Sequence, residues 1–290
     1  MGTTIDHLHA TAGRWRHRTS ALGLADSNVR RCIEEAGIER HEIDLLVNAG
    51  IYRDRNLGEP ALAALIQEDV GLNVEDPHDD AHGTFSFDIA NGTCGPLTAL
   101  QVVDGFLRAG TIRHAIVVAS DADPGHHTAP GFPFLPAGAA ALCSWREGDR
   151  GLGSFRWLSV PDGGASFRSV VDFDGHANRL RVDVDPGFDE AAATVAAKVA
   201  DEVLAGAGLL ADDVAVAVVA PGSATFVRAF AEAAGITPDR VVAPAAGIHT
   251  AGLLAAFAEA RTHGRLGLGA TALLVSAGAG ITAGACLYRP

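Results

Sequence analysis

Few residues in this chain have the type and setting to do chemistry. The four cysteines, Cys32, Cys94, Cys143 and Cys286, stand far apart with no Cys-x-x-Cys pair, the pattern of separate reduced thiols rather than of a disulfide framework or a zinc site. Cys94 closes the run Phe87-Asp88-Ile89-Ala90-Asn91-Gly92-Thr93-Cys94 ahead of a small-residue stretch, and His249 precedes a second such stretch. Glu59 is followed by Pro60 and Ala61. This reads as a helix start with Pro60 at the first helical position, where its missing N–H does no harm, and with Glu59 placed to interact with the helix dipole. His78 and His82, with Asp76, Asp79 and Asp80, have metal-ligating types, but the density of acids reads as a solvated loop, and no metal is assigned. His126-His127 and His7/His9 have no ligand spacing. Gly278-Ala279-Gly280 fails as a dinucleotide fingerprint because no helix follows it, and neither a GxSxG elbow nor a Walker motif is present. No cofactor is expected.

The elements that must position these residues repeat. Ala36-Gly37-Ile38, then Glu42-Ile43-Asp44-Leu45-Leu46-Val47, is echoed 171 residues later by Ala207-Gly208-Leu209, then Asp213-Val214-Ala215-Val216-Ala217-Val218. Each copy is a helix end, a glycine cap, a short loop and an apolar run of strand character. A second pair follows in the same order. The helices of Pro96–Ala109 and Leu253–His263 end at Gly110 and Gly264, ahead of the strands Ala115–Ala119 and Thr271–Val275. The strands are continuous apolar runs, as in sheets covered on both faces, and the first turns of the two helices are almost free of charge, as in helices at the centre of a protein. The expected fold is α/β: a five-layer αβαβα arrangement of two duplicated halves, 1–165 and 166–290. Thr93 and Gly247 each lie 17 residues before a capping glycine and are expected to begin two antiparallel central helices.

Composition narrows the classes of partner. With 290 residues, 48% hydrophobic and 20% charged, the chain can bury a large core. A formal net charge of −13 argues against a nucleic-acid or anionic-membrane surface. The uncharged stretch Leu266–Tyr288 is long enough to span a bilayer, but the glycines at its middle make it read as a buried strand–turn–strand hairpin. A polar, His- and Arg-bearing N-terminus has no secretory core. A cytoplasmic location is expected.

Phe87–Gly95 resembles the nucleophile motif of ketoacyl-ACP synthase III relatives in the thiolase superfamily, and Gly278–Gly284 resembles their closing glycine-rich turn. Arg53-Asp54, followed by Glu59-Pro60-Ala61, resembles the head-to-head acyl-CoA condensing enzymes of olefin and β-lactone (lipstatin-type) pathways. The resemblance implies a thiolase fold and a Cys–His–Asn set in which a thiolate at a helix N-terminus attacks an acyl thioester. Counted along the motif, the nucleophile position falls on Thr93, the histidine position on Ala220 and the asparagine position on Gly247. The resemblance therefore implies an acyltransferase subunit without its own set. Its partner would be a catalytically complete thiolase-fold synthase subunit, in a heterodimer or heterotetramer acting on acyl-CoA or acyl-carrier thioesters. Glu59 would be the base in the partner's site, and Gly278-Ala279-Gly280 would form an oxyanion-type turn near Thr93.

Two alternatives stand beside this. A one-residue bulge would restore Cys94 with His249 as the pair of an independent acyltransferase, or the chain is a structural pseudoenzyme. Gly131-Phe132-Pro133-Phe134-Leu135-Pro136 is expected near the channel mouth, as interface or lid.

Overall fold

In the computed structural model the described residues are 2–12, 20–72, 83–125, 127–173, 175 and 178–290. His78, His82, Asp76, Asp79, Asp80 and His126 lie outside them. The first half runs β1 (Gly2–Ala12), α1 (Ala21–Ala36), β2 (Leu45–Asn48), α2 (Leu62–Val70), β3 (Phe85–Asp88), α3 (Gly95–Arg108), β4 (His114–Asp121) and β5 (Ala137–Arg146). The second runs β6 (Gly151–Ser159), a ribbon of β7 (Phe167–Phe173) and β8 (Asn178–Val184), α4 (Phe188–Gly206), β9 (Val216–Ala220), α5 (Ala224–Ala233), β10 (Val241–Val242), α6 (Gly252–Thr262), β11 (Ala272–Gly278) and β12 (Thr282–Arg289).

The two sheets have the same topology. One is ordered β1-β5-β4-β2-β3 and the other β6-β12-β11-β9-β10. In each, two antiparallel pairings are followed by two parallel ones. The caps repeat as well: Gly37 and Gly208 have φ of 66° and 68°, and Gly110 and Gly264 both have φ of 68°, a left-handed conformation that costs glycine little. The first sheet ends with β5 and the second begins with β6, so the topological change falls in the turn 147–150, ahead of a division at 165/166.

Alternation along each strand explains the layers. On β4, Ala115 and Val117 face the central helices, while Ile116 and Val118 face α1 and α2. On β9, Val216, Val218 and Ala220 face inward, and Ala217 and Val219 face α4 and α5. Both faces of each sheet are thus covered, which is why the strands read as unbroken apolar runs. The result is the thiolase-like αβαβα sandwich, with α3 and α6 at its centre. The stretch 266–288 contributes the paired strands β11 and β12, and among the described residues no helix is long and apolar enough to cross a membrane.

Candidate functional site

A cavity of about 520 Å³ opens where the central helices begin, walled by Tyr52, Phe134, Phe167 and Phe188 and floored by Thr93 and His249. This size is ordinary for a small-molecule site. The segment 131–136 contributes Phe134 to its wall. Phe134 stacks on Tyr52 with ring centroids 5.2 Å apart, Phe132 meets the same ring edge-on at 5.4 Å, and the Leu135 N–H donates to the Gly247 carbonyl at 2.8 Å. The β7–β8 ribbon packs on this segment through Leu180 and Val182.

Thr93 lies in the single 3-10 turn Gly92–Cys94 that runs into α3. It faces the cavity, and its hydroxyl donates to the Ala277 carbonyl. The turn between β11 and β12 comes to the same place: a Cβ built on Gly278 would lie 3.0 Å from the Thr93 hydroxyl. Gly278 and Ala279 line the cavity, and Gly280 takes a φ of 74°.

Cys94, one step further along the turn, is 0% exposed and contributes nothing to the cavity. Its thiol donates to the Thr282 carbonyl at 3.4 Å, and burial pushes its pKa up to about 12. One residue along a helix turns a side chain by about 100°. Here that step carries the sulfur out of the site that His249 lines.

The second half begins its helix differently. Gly247, with φ of 90°, does not open α6. It borders the cavity, and the turn His249-Thr250-Ala251 stands between it and the first helical residue, Gly252. The cause is Asp121, at the end of β4. One carboxylate oxygen accepts the Thr250 N–H at 2.8 Å and the Thr250 hydroxyl at 2.6 Å, and lies 3.3 Å from His249 Nδ1. The other oxygen accepts the N–H groups of Ile51 and Tyr52. Burial alone would raise the Asp121 pKa. The interactions with His249, Thr250 and Tyr52 outweigh it and hold the carboxyl below the usual range. His249 is itself buried, stacked on Phe134 at 4.3 Å.

Ala220 is the last residue of β9 and faces the core, 3.5 Å from where a Cβ on Gly252 would sit. The cavity is reached instead by Pro221, Gly222 and Ser223. Gly222 admits no side chain, since a Cβ there would lie 2.0 Å from the Pro244 carbonyl oxygen.

Glu59 is exposed and lies outside the cavity. The helix after it starts at Leu62, so Pro60 precedes the cap rather than occupying the first turn, and the Glu59–Pro60 bond is cis. The cap comes from elsewhere. Asp88, ending β3, accepts the N–H groups of Leu62 and Ala63 at 2.9 and 2.8 Å and pairs with Arg53 at 3.0 Å. Arg53 of the Arg-Asp motif thus braces the segment that carries Glu59.

Residues 204–290 match the family described as 3-oxoacyl-[acyl-carrier-protein] synthase III, C terminal. Over nearly the whole chain the protein is 30% identical to β-ketoacyl-[acyl-carrier-protein] synthase III of Sphingopyxis alaskensis, covering 97% of this chain and 89% of that one. The chain belongs to the β-ketoacyl-[acyl-carrier-protein] synthase III family. The Rhodospirillum rubrum member is likewise 30% identical, over 99% of this chain and 88% of its own. Among solved structures, the synthase III of Pseudomonas aeruginosa superposes with a TM-score of 0.81 at 19% identity, covering 100% of this chain and 98% of that one. OleA of Xanthomonas campestris, determined with bound lauric acid and lauroyl-CoA, gives 0.81 at 17% identity, with 99% of each chain covered. At these identities the structural likeness establishes the fold.

Asp121 and Tyr52 were not singled out from sequence. The available signal was an acid ending an apolar strand, Ala115–Ser120, since a carboxylate at the buried end of a strand needs partners.

Proposed function

We propose that this protein is the partner subunit of a heterodimeric acyl-thioester condensing enzyme. In this reading it joins a catalytically complete synthase III-type chain and lends it Glu59 for a non-decarboxylating Claisen condensation of two acyl thioesters. The observation that carries the reading is the sealed thiol. Cys94 is fully buried with its pKa raised, and the cavity presents a threonine hydroxyl already donated to a carbonyl. A nucleophile for acyl capture must be ionised and reachable, so acyl loading falls to another chain.

The surroundings of Glu59 support the second part. Among the described residues β3 has no strand on its outer edge, and that edge carries Phe85, 58% exposed and 5.2 Å from the Phe87 ring. An open strand with an exposed aromatic is a natural place for another chain to pair. Asp88, at the end of the same strand, anchors the helix that begins three residues after Glu59. Glu59 itself is exposed and outside this chain's own cavity. A Claisen step between two acyl thioesters needs a base for the α-proton, and a carboxylate suits that task once the partner desolvates it.

The test is reconstitution with a complete synthase III-type chain. A 1:1 complex by native mass spectrometry, with condensation of two acyl-CoA molecules that neither chain performs alone, is the expected result. Absence of a complex, or equal condensation by the partner alone, contradicts the reading.

A further inference from the structure

The cavity keeps a base that acyl loading does not use. His249 Nδ1 faces the Asp121 carboxylate at 3.3 Å. Asp121 is buried and receives five hydrogen-bonding contacts, from Ile51, Tyr52, Thr250 N–H, Thr250 hydroxyl and His249, and is held in its ionised form. An ionised acceptor at Nδ1 selects the tautomer with the proton there, so that in the neutral imidazole Nε2 is the nitrogen with the lone pair. His249 is 6% exposed, and among the described residues Nε2 makes no hydrogen bond. It is directed at Gly92, 3.8 Å from where a Cβ would stand, on the wall of the cavity. Among the described residues, the other charged or titratable groups lining that space are Tyr52, whose pKa burial pushes up to about 12, and Arg168 and Asp189. A buried, oriented base with an unused lone pair in an apolar cavity is an arrangement for proton transfer.

What it deprotonates follows from what surrounds it. The Cys94 thiol is outside the cavity, and the Thr93 hydroxyl is already donated to Ala277. Of the other hydroxyls on the wall, Ser223 donates to Asp189 and Ser169 is hydrogen-bonded to Tyr52, so among the described residues each candidate nucleophile is already engaged, and the one that reacts must enter with solvent. The electrophile must suit walls of stacked rings: His249 lies at 10° to Phe167 and 27° to Phe134, and Phe134 at 19° to Tyr52. Such a surface accepts an apolar acyl group, flat ones included.

We propose that this chain has its own cysteine-free catalytic site, in which His249, oriented by Asp121, is the general base for hydrolysis of an apolar acyl thioester by water. Nε2 takes a proton from water as the oxygen bonds to the thioester carbonyl carbon. The tetrahedral intermediate then expels the sulfur as the C–S bond breaks, and the proton on Nε2 passes to the thiolate, giving a carboxylic acid and a thiol. The oxyanion forms where Thr93 lines the cavity ahead of α3, where the helix dipole favours negative charge. His249 is the catalytic residue and Asp121 a positioning residue. The proposal takes its substrate class from the family but needs no partner chain, so it stands or falls separately from the heterodimer.

The experiment uses the full chain alone with hexanoyl-CoA and benzoyl-CoA, reading thiol release with a chromogenic disulfide and the intact protein mass in parallel. Steady turnover without a covalent acyl adduct is expected. His249→Gln should lower kcat by about 10²–10⁴-fold, the usual contribution of a general base, with acyl-CoA binding retained. His249→Ala should recover part of the rate on addition of imidazole, a response that a merely structural role would not produce. Cys94→Ala should turn over as wild type does. Thiol release no faster than in buffer, a rate unchanged in His249→Gln, or an adduct lost in Cys94→Ala would each overturn the proposal.

Discussion

Replacing Asp88 tests how the Glu59 segment is held, because one carboxylate performs four tasks there. It accepts the first two N–H groups of α2 at 2.9 and 2.8 Å, the Arg53 guanidinium at 3.0 Å and the Asn48 amide at 3.1 Å. Losing a helix cap costs about 1 kcal/mol. A hydrogen bond to a charged group contributes about 1.5–3 kcal/mol, at the low end here because the Arg53 and Asp88 side chains retain 16% and 21% exposure. Asp88→Ala should therefore destabilise the fold by about 2–4 kcal/mol, and Asp88→Asn, which keeps one acceptor oxygen, by roughly half as much. Urea unfolding followed by circular dichroism measures both, with an unchanged slope expected.

The pH dependence supplies a second check. Burial alone would raise the Asp88 pKa. The hydrogen bonds from Ala63, Asn48, Leu62 and Arg53 outweigh it and leave the carboxyl lowered. A depressed folded-state pKa gives stability that is fully present above the unfolded value and is lost as pH falls through the folded one. The stability gap between wild type and Asp88→Asn should be flat near neutrality and begin to close below about pH 4. A change under about 0.5 kcal/mol in Asp88→Ala, within the range of ordinary surface substitutions, or a gap that persists into acid, would refute the assignment of Asp88 as cap and anchor.

Two further outcomes follow from the same geometry. All four thiols are buried and free, with Cys32 and Cys94 each pushed up to about 12 by burial and Cys143 and Cys286 also raised, so native protein should show no fast-reacting thiol to a chromogenic disulfide at pH 8, and unfolded protein should show 4. A rapid stoichiometric thiol in the native state would contradict the sealed position of Cys94. Gly222→Ala places a methyl group 2.0 Å from the Pro244 oxygen, where backbone must move. It should cost about 1–3 kcal/mol, as overpacking does, read as a lower Tm; an unchanged Tm would show that the Pro221–Ser223 turn yields freely.

The duplication was legible because its markers are local. Glycines 37, 110, 208 and 264 each end a helix in the left-handed conformation, and the apolar runs after them report strands covered on both faces. The departures from local pattern depend on residues distant in sequence. Counting back from Gly110 and Gly264 assumes helices of equal length, whereas α6 has 11 residues against 14 in α3. Asp121 holds Thr250 and His249 in a turn from the other half of the molecule, and a count along one segment has no access to that contact. Pro60 looked like a first helical residue for the same reason, since the cap of α2 is supplied by Asp88 from β3. Ala220 closes β9 and faces the core rather than the cavity. The strand includes it, and the turn into the cavity begins at Pro221.

Whether Glu59 acts in a partner's site is read from the rate of carbon–carbon bond formation by the reconstituted pair with Glu59→Gln. The substitution keeps size and removes only the basic oxygen, on a residue whose exposure leaves the fold of this chain unaffected. Complex formation and acylation of the partner's cysteine should be unchanged, while condensation of two acyl thioesters falls by about 10²–10⁴-fold, the loss expected for a general base. Condensation at the wild-type rate by the Glu59→Gln pair would contradict the account and leave Glu59 as a surface residue ahead of a helix.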